Sequence, residues 1–263
     1  MRLAEASDLA SRNLVTTYLA LGKAVPKTRH YSSSGFDALL GEFPHPICNF
    51  GISNFWTEPA VRNILGIHGL AQPFNLYVLP GERPFHLFLP WDDLMFQHTY
   101  SLKCMRMDPV LAPPAANMEE ALECDGRSRI ADFMSRLFFT YQSATARRGV
   151  AEATVRGENL RLFGLTQDEK LVGTVMISQT EGCLGLYNLC VEPSLRGKGI
   201  GTSIVNWVLA RAATQGLSVT LQCDPKLEKW YEHLGFATYG SLEVYSFAKK
   251  MSPDIMLLPV NDA

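Results

Sequence analysis

Three glycines alternate with other residues in the segment Arg196-Gly-Lys-Gly-Ile-Gly201-Thr202. Glycine lets successive backbone N–H groups turn toward one point, and the N-terminus of a following helix carries a partial positive charge. Such an arrangement binds phosphate groups. We therefore predict that residues 196–202 form a pyrophosphate cradle.

Other phosphate-binding loops can be tested by their spacing. The dinucleotide fingerprint G-x-G-x-x-G requires a glycine where Thr202 stands, and the P-loop requires one where Glu192 stands. Neither pattern fits. The remaining alternative is a glycine-rich helix entry that binds no ligand.

A second segment, Asp224-Pro-Lys-Leu-Glu-Lys-Trp-Tyr231, is typical of a helix start. The Asp224 side chain can cap the helix, and proline is favoured at the first helical position. We predict a helix over Lys226–Leu234 that ends at Gly235.

Together the two segments resemble the signatures of the GCN5-related N-acetyltransferase (GNAT) superfamily. The first, V-x-P-x-x-R-G-x-G-x-G, is similar to its acetyl-CoA signature, and the second continues to Gly235-Phe236 as that family's second signature does. The resemblance spans residues 117–249. It implies an α/β fold, a central mixed sheet flanked by helices, and acetyl-coenzyme A as cosubstrate without a metal.

The resemblance also implies a binding role for particular residues. In the family, the backbone at the position of Leu189, Cys190 and Val191 binds the pantetheine arm where two strands splay apart. The pyrophosphate would be held by the cradle, which consists of Arg196, Gly197, Lys198, Gly199, Ile200, Gly201 and Thr202. Asp224 stands where many relatives have an asparagine that contacts pantetheine, but helix capping explains it first.

Two catalytic candidates follow from the resemblance. Tyr231 matches a tyrosine that protonates the departing thiolate, although an apolar stripe on its helix also suits a core aromatic residue. Relatives often have a glutamate base near the position of Cys183. Glu181, expected on the same strand face, could replace it, or could simply be a solvated residue at a strand end. Either Tyr187 or Asn188 should face the acceptor pocket, because neighbours in a strand alternate.

The apolar periodicity of the C-terminal half predicts the elements around these residues. We expect a helix with its buried face from Ile130 to Tyr141. Strands are expected at Leu160–Leu165, Leu171–Ser178 and Leu184–Val191. A helix should begin near Gly199 and end at Gly216, and two further strands should follow at 217–223 and Leu242–Lys249.

The N-terminal half has weaker patterns. We predict a helix over residues 4–21, a loop at Tyr31–Gly35, strands at Ile47–Ile52, Asn75–Leu79 and Tyr100–Met107, and helices at Glu58–Leu70 and Trp91–His98. The order from residue 44 onward matches the second half of a GNAT domain. Our hypothesis is therefore a degenerate second copy that has lost its cradle and supplies a wall of the acceptor site.

Three prolines in the segment 108–117 favour a linker. We accordingly predict an N-terminal α/β domain at 1–112, a GNAT domain at 113–250 and a C-terminal tail at 251–263.

The overall composition excludes several classes of protein. The net charge of −2 and the lack of a basic block argue against a nucleic-acid partner. There is no apolar run long enough for a membrane span and no signal peptide. Six scattered cysteines without metal-ligand spacing indicate buried free thiols, and hence a cytoplasmic protein.

Two functions fit the sequence. The first is an N-acetyltransferase that moves an acetyl group to an amine of a small molecule or peptide by direct attack. The second is a non-catalytic acyl-CoA-binding sensor or interaction module. The sequence does not give the oligomeric state.

Overall fold

The computed structural model of the 263-residue chain describes residues 3–33, 36–53, 73–81, 94–109 and 117–249. Within these ranges it contains five α-helices. They are α1 (Leu3–Lys23), α2 (Cys124–Phe138), α3 (Ala144–Arg156), α4 (Ile200–Ala213) and α5 (Glu228–His233).

Eleven strands form a single sheet. They are β1 (Arg29–Ser33), β2 (Phe36–Leu40), β3 (Phe50–Ser53), β4 (Asn75–Val78), β5 (Leu94–Met107), β6 (Glu119–Glu120), β7 (Leu160–Gln167), β8 (Lys170–Thr180), β9 (Cys183–Val191), β10 (Ser218–Cys223) and β11 (Ala237–Lys249). Their order across the sheet is β1-β2-β3-β4-β11-β5-β10-β9-β8-β7-β6.

The strand order repeats itself in the two halves of the chain. We define the N-terminal half as α1 and β1–β5, and the C-terminal half as β6–β11 with α2–α5. Strands β1, β2, β3, β4 and β5 correspond to β7, β8, β9, β10 and β11. Read from β1 the order is β1-β2-β3-β4-β11-β5, and read from β7 in the opposite direction it is β7-β8-β9-β10-β5-β11, which is the same order in corresponding strands. The pairing directions match as well, because β3–β4 and β9–β10 are both parallel and their flanking pairs are antiparallel.

Each half includes one strand from the other half. Strand β11 lies between β4 and β5, and β5 lies between β10 and β11. Strands β5 and β11 are antiparallel and pair from Leu94–Lys249 to Arg106–Ala237. The two halves therefore share one sheet, and the boundary proposed at residue 112 stays a prediction.

Apolar residues cover both faces of this sheet. On one face of the C-terminal half, buried residues of β8–β10 pack against α4 and α5. On the other face, β7–β9 pack against α2, and α1 contributes Tyr18 and Leu21 to the same cluster. Residues of α1 also join a cluster with β2–β4, β5 and β11. Helix α1 thus lies across the junction between the halves, on a face that we call the α1 face.

Several predicted elements change in the structure. Residues 31–33 of the predicted loop Tyr31–Gly35 belong to β1, and its residues 34 and 35 lie outside the described ranges. The strand expected at Ile47–Ile52 begins only at Phe50. Residues 94–98 of the predicted helix Trp91–His98 belong to β5, because they pair with β11. The helix Glu58–Leu70 lies outside the described residues.

In the C-terminal half the main strands and helices are confirmed. The sequence did not predict α3, however, and α2 ends at Phe138, before Tyr141. Ser218 and Thr220, which alternate with the apolar residues of β10, are buried as well. The Thr220 hydroxyl is buried at low cost because it donates to the carbonyl of Met105 (3.1 Å).

No helix among the described residues combines enough length and hydrophobicity to cross a membrane. All six cysteines are free; five are buried, and Cys124 is the exposed exception.

Candidate functional site

A gap opens between the parallel strands β9 and β10. The two strands pair over four residues, from Cys183–Ser218 to Leu186–Leu221. Strand β9 continues to Val191, and among the described residues Tyr187–Val191 have no partner in β10. A register shift in the β8–β9 pairing occurs here, and Asn188 has a positive φ of 49°. The backbone of Leu189, Cys190 and Val191 therefore borders the gap.

The glycine-rich segment follows directly after Tyr187–Val191, the residues of β9 that have no partner in β10. A short 3-10 helix, Pro193–Leu195, turns the chain, and α4 begins after Gly199. Gly197 and Gly199 have φ angles of 76° and 81°, and a Cβ atom at either position would meet nothing within 4 Å. Glycine is needed there for its left-handed backbone rather than for lack of space.

The start of α4 presents free backbone donors. The first hydrogen bond that closes a turn runs from the N–H of Ser203 to the carbonyl of Gly199 (2.9 Å), so the preceding N–H groups have no intrahelical acceptor. Arg196 and Lys198 are exposed beside them, and the Arg196 side chain donates to the carbonyl of Val191 (3.3 Å). This arrangement of N–H groups and cations at a helix N-terminus is suited to an anion.

Tyr231 lies on α5, which packs near the start of α4. Its side chain is 5% exposed, and its ring contacts those of Trp230 and Phe236 at centroid distances of 4.6 and 5.6 Å. A Cβ atom placed on Gly201 would lie 3.5 Å from the Trp230 ring. The glycine-rich segment and α5 are therefore in contact. Burial, with a smaller contribution from Cys223, raises the pKa of Tyr231. The phenol is therefore neutral at physiological pH.

Glu181 does not join this arrangement. It is an exposed residue in the β8–β9 turn, not on the strand, so the premise that it shares a strand face with Cys183 is wrong. The gap begins at Tyr187, about 13 Å along the strand from Cys183, and the cradle follows the far end of β9, about 25 Å away. The structure does not bring Glu181 and Tyr231 together.

Asp224 caps the short 3-10 helix that precedes α5, as its sequence position predicted. Its carboxylate accepts a hydrogen bond from the N–H of Lys226 (2.8 Å). A contact of this residue with pantetheine stays a prediction.

Sequence reasoning missed a buried asparagine that fixes α1 on the α1 face. The amide of Asn13, which is fully buried, donates to the carbonyl of Ser178 (2.9 Å) and to the hydroxyl of Thr180 (3.0 Å). It also accepts a hydrogen bond from the hydroxyl of Tyr187 (2.8 Å). A Cβ on Gly185 would lie 2.0 Å from the Asn13 Oδ1, so only glycine fits below α1. The isolated glycine within a predicted strand was the available signal.

Gln222 is a second residue that the sequence did not reveal. It is the first residue of β10 beyond the last pair with β9. Both polar atoms of its side chain are buried without a hydrogen-bond partner among the described residues. Buried amides usually have partners, so an unpaired one beside a gap indicates a group that could bind a ligand.

Known proteins resemble this chain in both sequence and fold. A family model described as "Acetyltransferase (GNAT) family" matches residues 127–236. The C-terminal half carries a GNAT domain. No curated protein matches the sequence, and within the described residues no group of three His, Cys, Asp or Glu side chains could hold a metal ion.

Solved structures of GNAT proteins cover most of the chain. A GCN5-related N-acetyltransferase from Kribbella flavida aligns with 90% of this chain and 95% of its own, at a TM-score of 0.61 and 11% identity. A putative GNAT acetyltransferase from Novosphingobium aromaticivorans aligns over 84% and 92%, at a TM-score of 0.58 and 17% identity.

A tandem GNAT protein from the clavulanic acid biosynthesis pathway aligns over 94% of this chain and 96% of its own, with a TM-score of 0.54 and 14% identity. At these identities the likeness concerns the fold alone. It agrees with the repeated strand order described above, and it confirms that the N-terminal half resembles a second GNAT copy.

Proposed function

We propose that the protein is an acetyl-CoA-dependent N-acetyltransferase that acts on an amine of a small molecule or peptide. The observation that carries this proposal is the coincidence of the gap between β9 and β10 with the cradle at the start of α4, in the part of the chain that matches the GNAT family. Unpaired strand backbone and a helix N-terminus with two cations are complementary to the amides of pantetheine and to a pyrophosphate.

In the proposed reaction, Leu189, Cys190 and Val191 bind the pantetheine arm through their backbone, and residues 196–202 bind the pyrophosphate. The nitrogen of the neutral amine attacks the thioester carbon, and the carbon–sulfur bond then breaks. The Tyr231 hydroxyl donates its proton to the departing thiolate and recovers a proton from the acetylated nitrogen through solvent. Because its raised pKa makes Tyr231 a weak acid, we expect donation to occur as negative charge develops on sulfur.

The position of Glu181 favours a second candidate function. With this residue far from the gap, the general base predicted from the sequence is not assigned. A protein that binds acyl-CoA without turnover, as a sensor or interaction module, would need no base.

The test measures binding and turnover separately on the purified full chain. Calorimetry gives the affinity for acetyl-CoA, and thiol release reports acetyl transfer to a panel of amines, polyamines and peptides. We expect Tyr231→Phe to lower kcat about 100-fold without changing acetyl-CoA affinity. Tyr245→Phe, on β11, is the control and should retain activity. Tight cofactor binding without turnover on any acceptor would support the sensor function instead.

The six free thiols are consistent with a reducing compartment. We therefore also propose that the enzyme acts in the cytoplasm.

A further inference from the structure

Five neighbouring tyrosines come from both halves of the chain, and four of them lie on the α1 face. We call them the tyrosine row. They come from α1, β4, β5, the loop between α2 and α3, and β9, and they are Tyr18, Tyr77, Tyr100, Tyr141 and Tyr187.

Ring contacts and shared electrostatics connect the members of the row. The rings of Tyr18 and Tyr77 make an edge-to-face contact at 5.1 Å. Burial is the largest cause that raises the pKa of Tyr18, and three neighbouring phenols raise it further. These are Tyr77, Tyr100 and Tyr187. Tyr18 is thus the centre of the row.

One end of the row reaches the surface. Tyr100 is 42% exposed and Tyr141 is 74% exposed. Burial raises the pKa of Tyr100, and the neighbouring hydroxyls of Tyr77 and Tyr141 add to the increase. Tyr141, in the loop that follows α2, is therefore a neighbour of Tyr100 on β5, and both rings are open to solvent.

The other end of the row reaches the gap. Tyr187 is the first residue of β9 beyond the last pair with β10, and Gln222 is the corresponding residue of β10. Val219, Leu221 and Cys223 pack under α4 and α5, so Gln222, which alternates with them, points to the α1 face. An amide with no partner among the described residues therefore lies at the end of an aromatic surface.

The row and its supports are uncharged. The hydroxyl of Tyr187 is held by Asn13, and Thr17 on the same helix is buried with its hydroxyl bonded to the carbonyl of Asn13. Burial keeps the phenols protonated by raising their pKa. The side chains of the row, Asn13 and Thr17 offer π-faces and neutral hydrogen bonds, and none of these described residues carries a carboxylate that could pair with the extra charges of a polycation.

We propose that the acceptor of this enzyme is a primary amine carried on a flat aromatic group, which stacks along the tyrosine row while Gln222 binds a polar substituent near the amine. This inference rests on the proposed acetyltransferase function. It assigns the N-terminal half a direct part in substrate binding, because Tyr18, Tyr77 and Tyr100 belong to it.

The first experiment compares acceptors of different shape and charge. Acetyl transfer to 2-phenylethylamine and tryptamine is measured against n-hexylamine, spermidine and a lysine-containing peptide. We expect kcat/KM to be about tenfold or more higher for the aromatic amines. A preference for spermidine or the peptide would overturn the inference.

The second experiment removes the open end of the row. Tyr141→Ala and Tyr100→Ala should each raise KM for 2-phenylethylamine about tenfold and leave kcat and the affinity for acetyl-CoA within about twofold. Leu122→Ala is the matched control, because Leu122 is 76% exposed and lies beside β6 at the far edge of the sheet. Equal effects of Tyr141→Ala and Leu122→Ala would contradict the assignment.

Binding of 2-phenylethylamine to the coenzyme A-saturated protein is measured by calorimetry as well. If acetyl-CoA does not bind, the proposed function fails. If acetyl-CoA binds but the aromatic amine neither binds nor reacts, only the assignment of the acceptor fails.

Discussion

Strands β3 and β4 of the N-terminal half and strands β9 and β10 of the C-terminal half occupy equivalent places in one sheet. Each parallel pair is joined through four residue pairs. In the N-terminal half these four pairs use every residue of β3. In the C-terminal half, β9 runs five residues further without a partner in β10.

The two halves therefore share a fold but differ in the features that could bind a cofactor. Both halves have the same strand order, yet among the described residues only β9 extends beyond its parallel partner next to a glycine-rich helix start. The corresponding segment after β3, Ser53-Asn-Phe-Trp-Thr-Glu-Pro59, contains no glycine. A GNAT-like sheet is therefore insufficient for a cofactor site, which requires a gap between strands and a cradle beside it.

In the N-terminal half, the parallel strands β3 and β4 pack against α1. Tyr77 on β4 packs under Tyr18 of α1, and Asn13 of the same helix bonds to β8 and β9. One half thus offers the proposed cofactor site, and the other contributes a helix and side chains on the α1 face beside it.

The difference between the two halves is tested most directly by replacing Gly197 and Gly199, the left-handed glycines of the cradle. In a Gly197→Ala/Gly199→Ala variant, each alanine in this conformation costs about 1–2 kcal/mol. The segment is expected to relax and turn its N–H groups away. We expect the affinity for coenzyme A, measured by calorimetry, to fall about 100-fold.

A matched double variant distinguishes cofactor binding from backbone strain. Gly81 and Gly216 also have positive φ angles, and a Cβ atom at either position would likewise meet nothing within 4 Å. They lie in the turn after β4 and beyond the C-terminal end of α4, away from the cradle. Gly81→Ala/Gly216→Ala should destabilise the protein to a similar extent yet keep its coenzyme A affinity. Equal loss of affinity in both variants would show that the cradle has no special role.

A second prediction concerns the close packing of α1 on β9. In Gly185→Ala the new Cβ would lie 2.0 Å from Asn13 Oδ1 and 2.3 Å from the Tyr187 ring, so α1 must move. We expect the free energy of unfolding, measured in urea, to fall by about 2 kcal/mol.

Gly126→Ala provides the control for this substitution. Gly126 lies in α2, where its Cβ would be 3.3 Å from the Ala121 side chain, and alanine favours the helix. This variant should lose much less stability than Gly185→Ala, because its contact is longer by more than 1 Å. If Gly185→Ala were equally stable, α1 would not be fixed by its fit over β9.

The smallest predicted effect concerns a histidine that connects the halves. The Nδ1 of His45 accepts a hydrogen bond from the N–H of Ile47, so Nε2 donates to the Gln142 side chain (2.9 Å). The ring stacks on Phe43 and meets Phe139 edge to face. Burial lowers the pKa of His45, although the bond to Gln142 opposes this change.

Because the pKa of His45 is lower in the folded than in the unfolded protein, the unfolded state binds more protons below pH 6.5. The free energy of unfolding should therefore fall as the pH decreases through this value. We expect His45→Gln to lose less stability than the parent between about pH 7.5 and about pH 5.5 in urea titrations. His233→Gln, at an exposed histidine, is the control and should follow the parent.

The local elements of the C-terminal half were predictable because their signals are short-range. Apolar periodicity located β7–β9 and α4, and Asp224-Pro225 predicted the capped start of the segment that leads to α5. Residues 94–98 show the limit of such signals. Their sequence suits a helix, but pairing with Tyr245–Lys249 of β11 makes them a strand.

Part of the candidate site could be predicted for the same reason. The left-handed glycines and the helix start are properties of a contiguous segment, whereas Glu181 was selected on an assumed strand that is a turn. Gly185 indicated a close approach to β9, but the sequence could not identify Asn13 as the partner, because it lies more than a hundred positions away. Gln222 could not have been found either, because its importance comes from a strand pairing that stops.

The sequence alone therefore determined that a glycine-rich turn precedes α4 and that the C-terminal half resembles a GNAT domain. Only the tertiary structure decided that β5 and β11 exchange places, that α1 covers β9, and that tyrosines of both halves meet beside the gap. The physical reason is the sequence separation of the interacting residues. Backbone conformation follows from adjacent residues, whereas strand exchange and side-chain packing depend on contacts between distant parts of the chain.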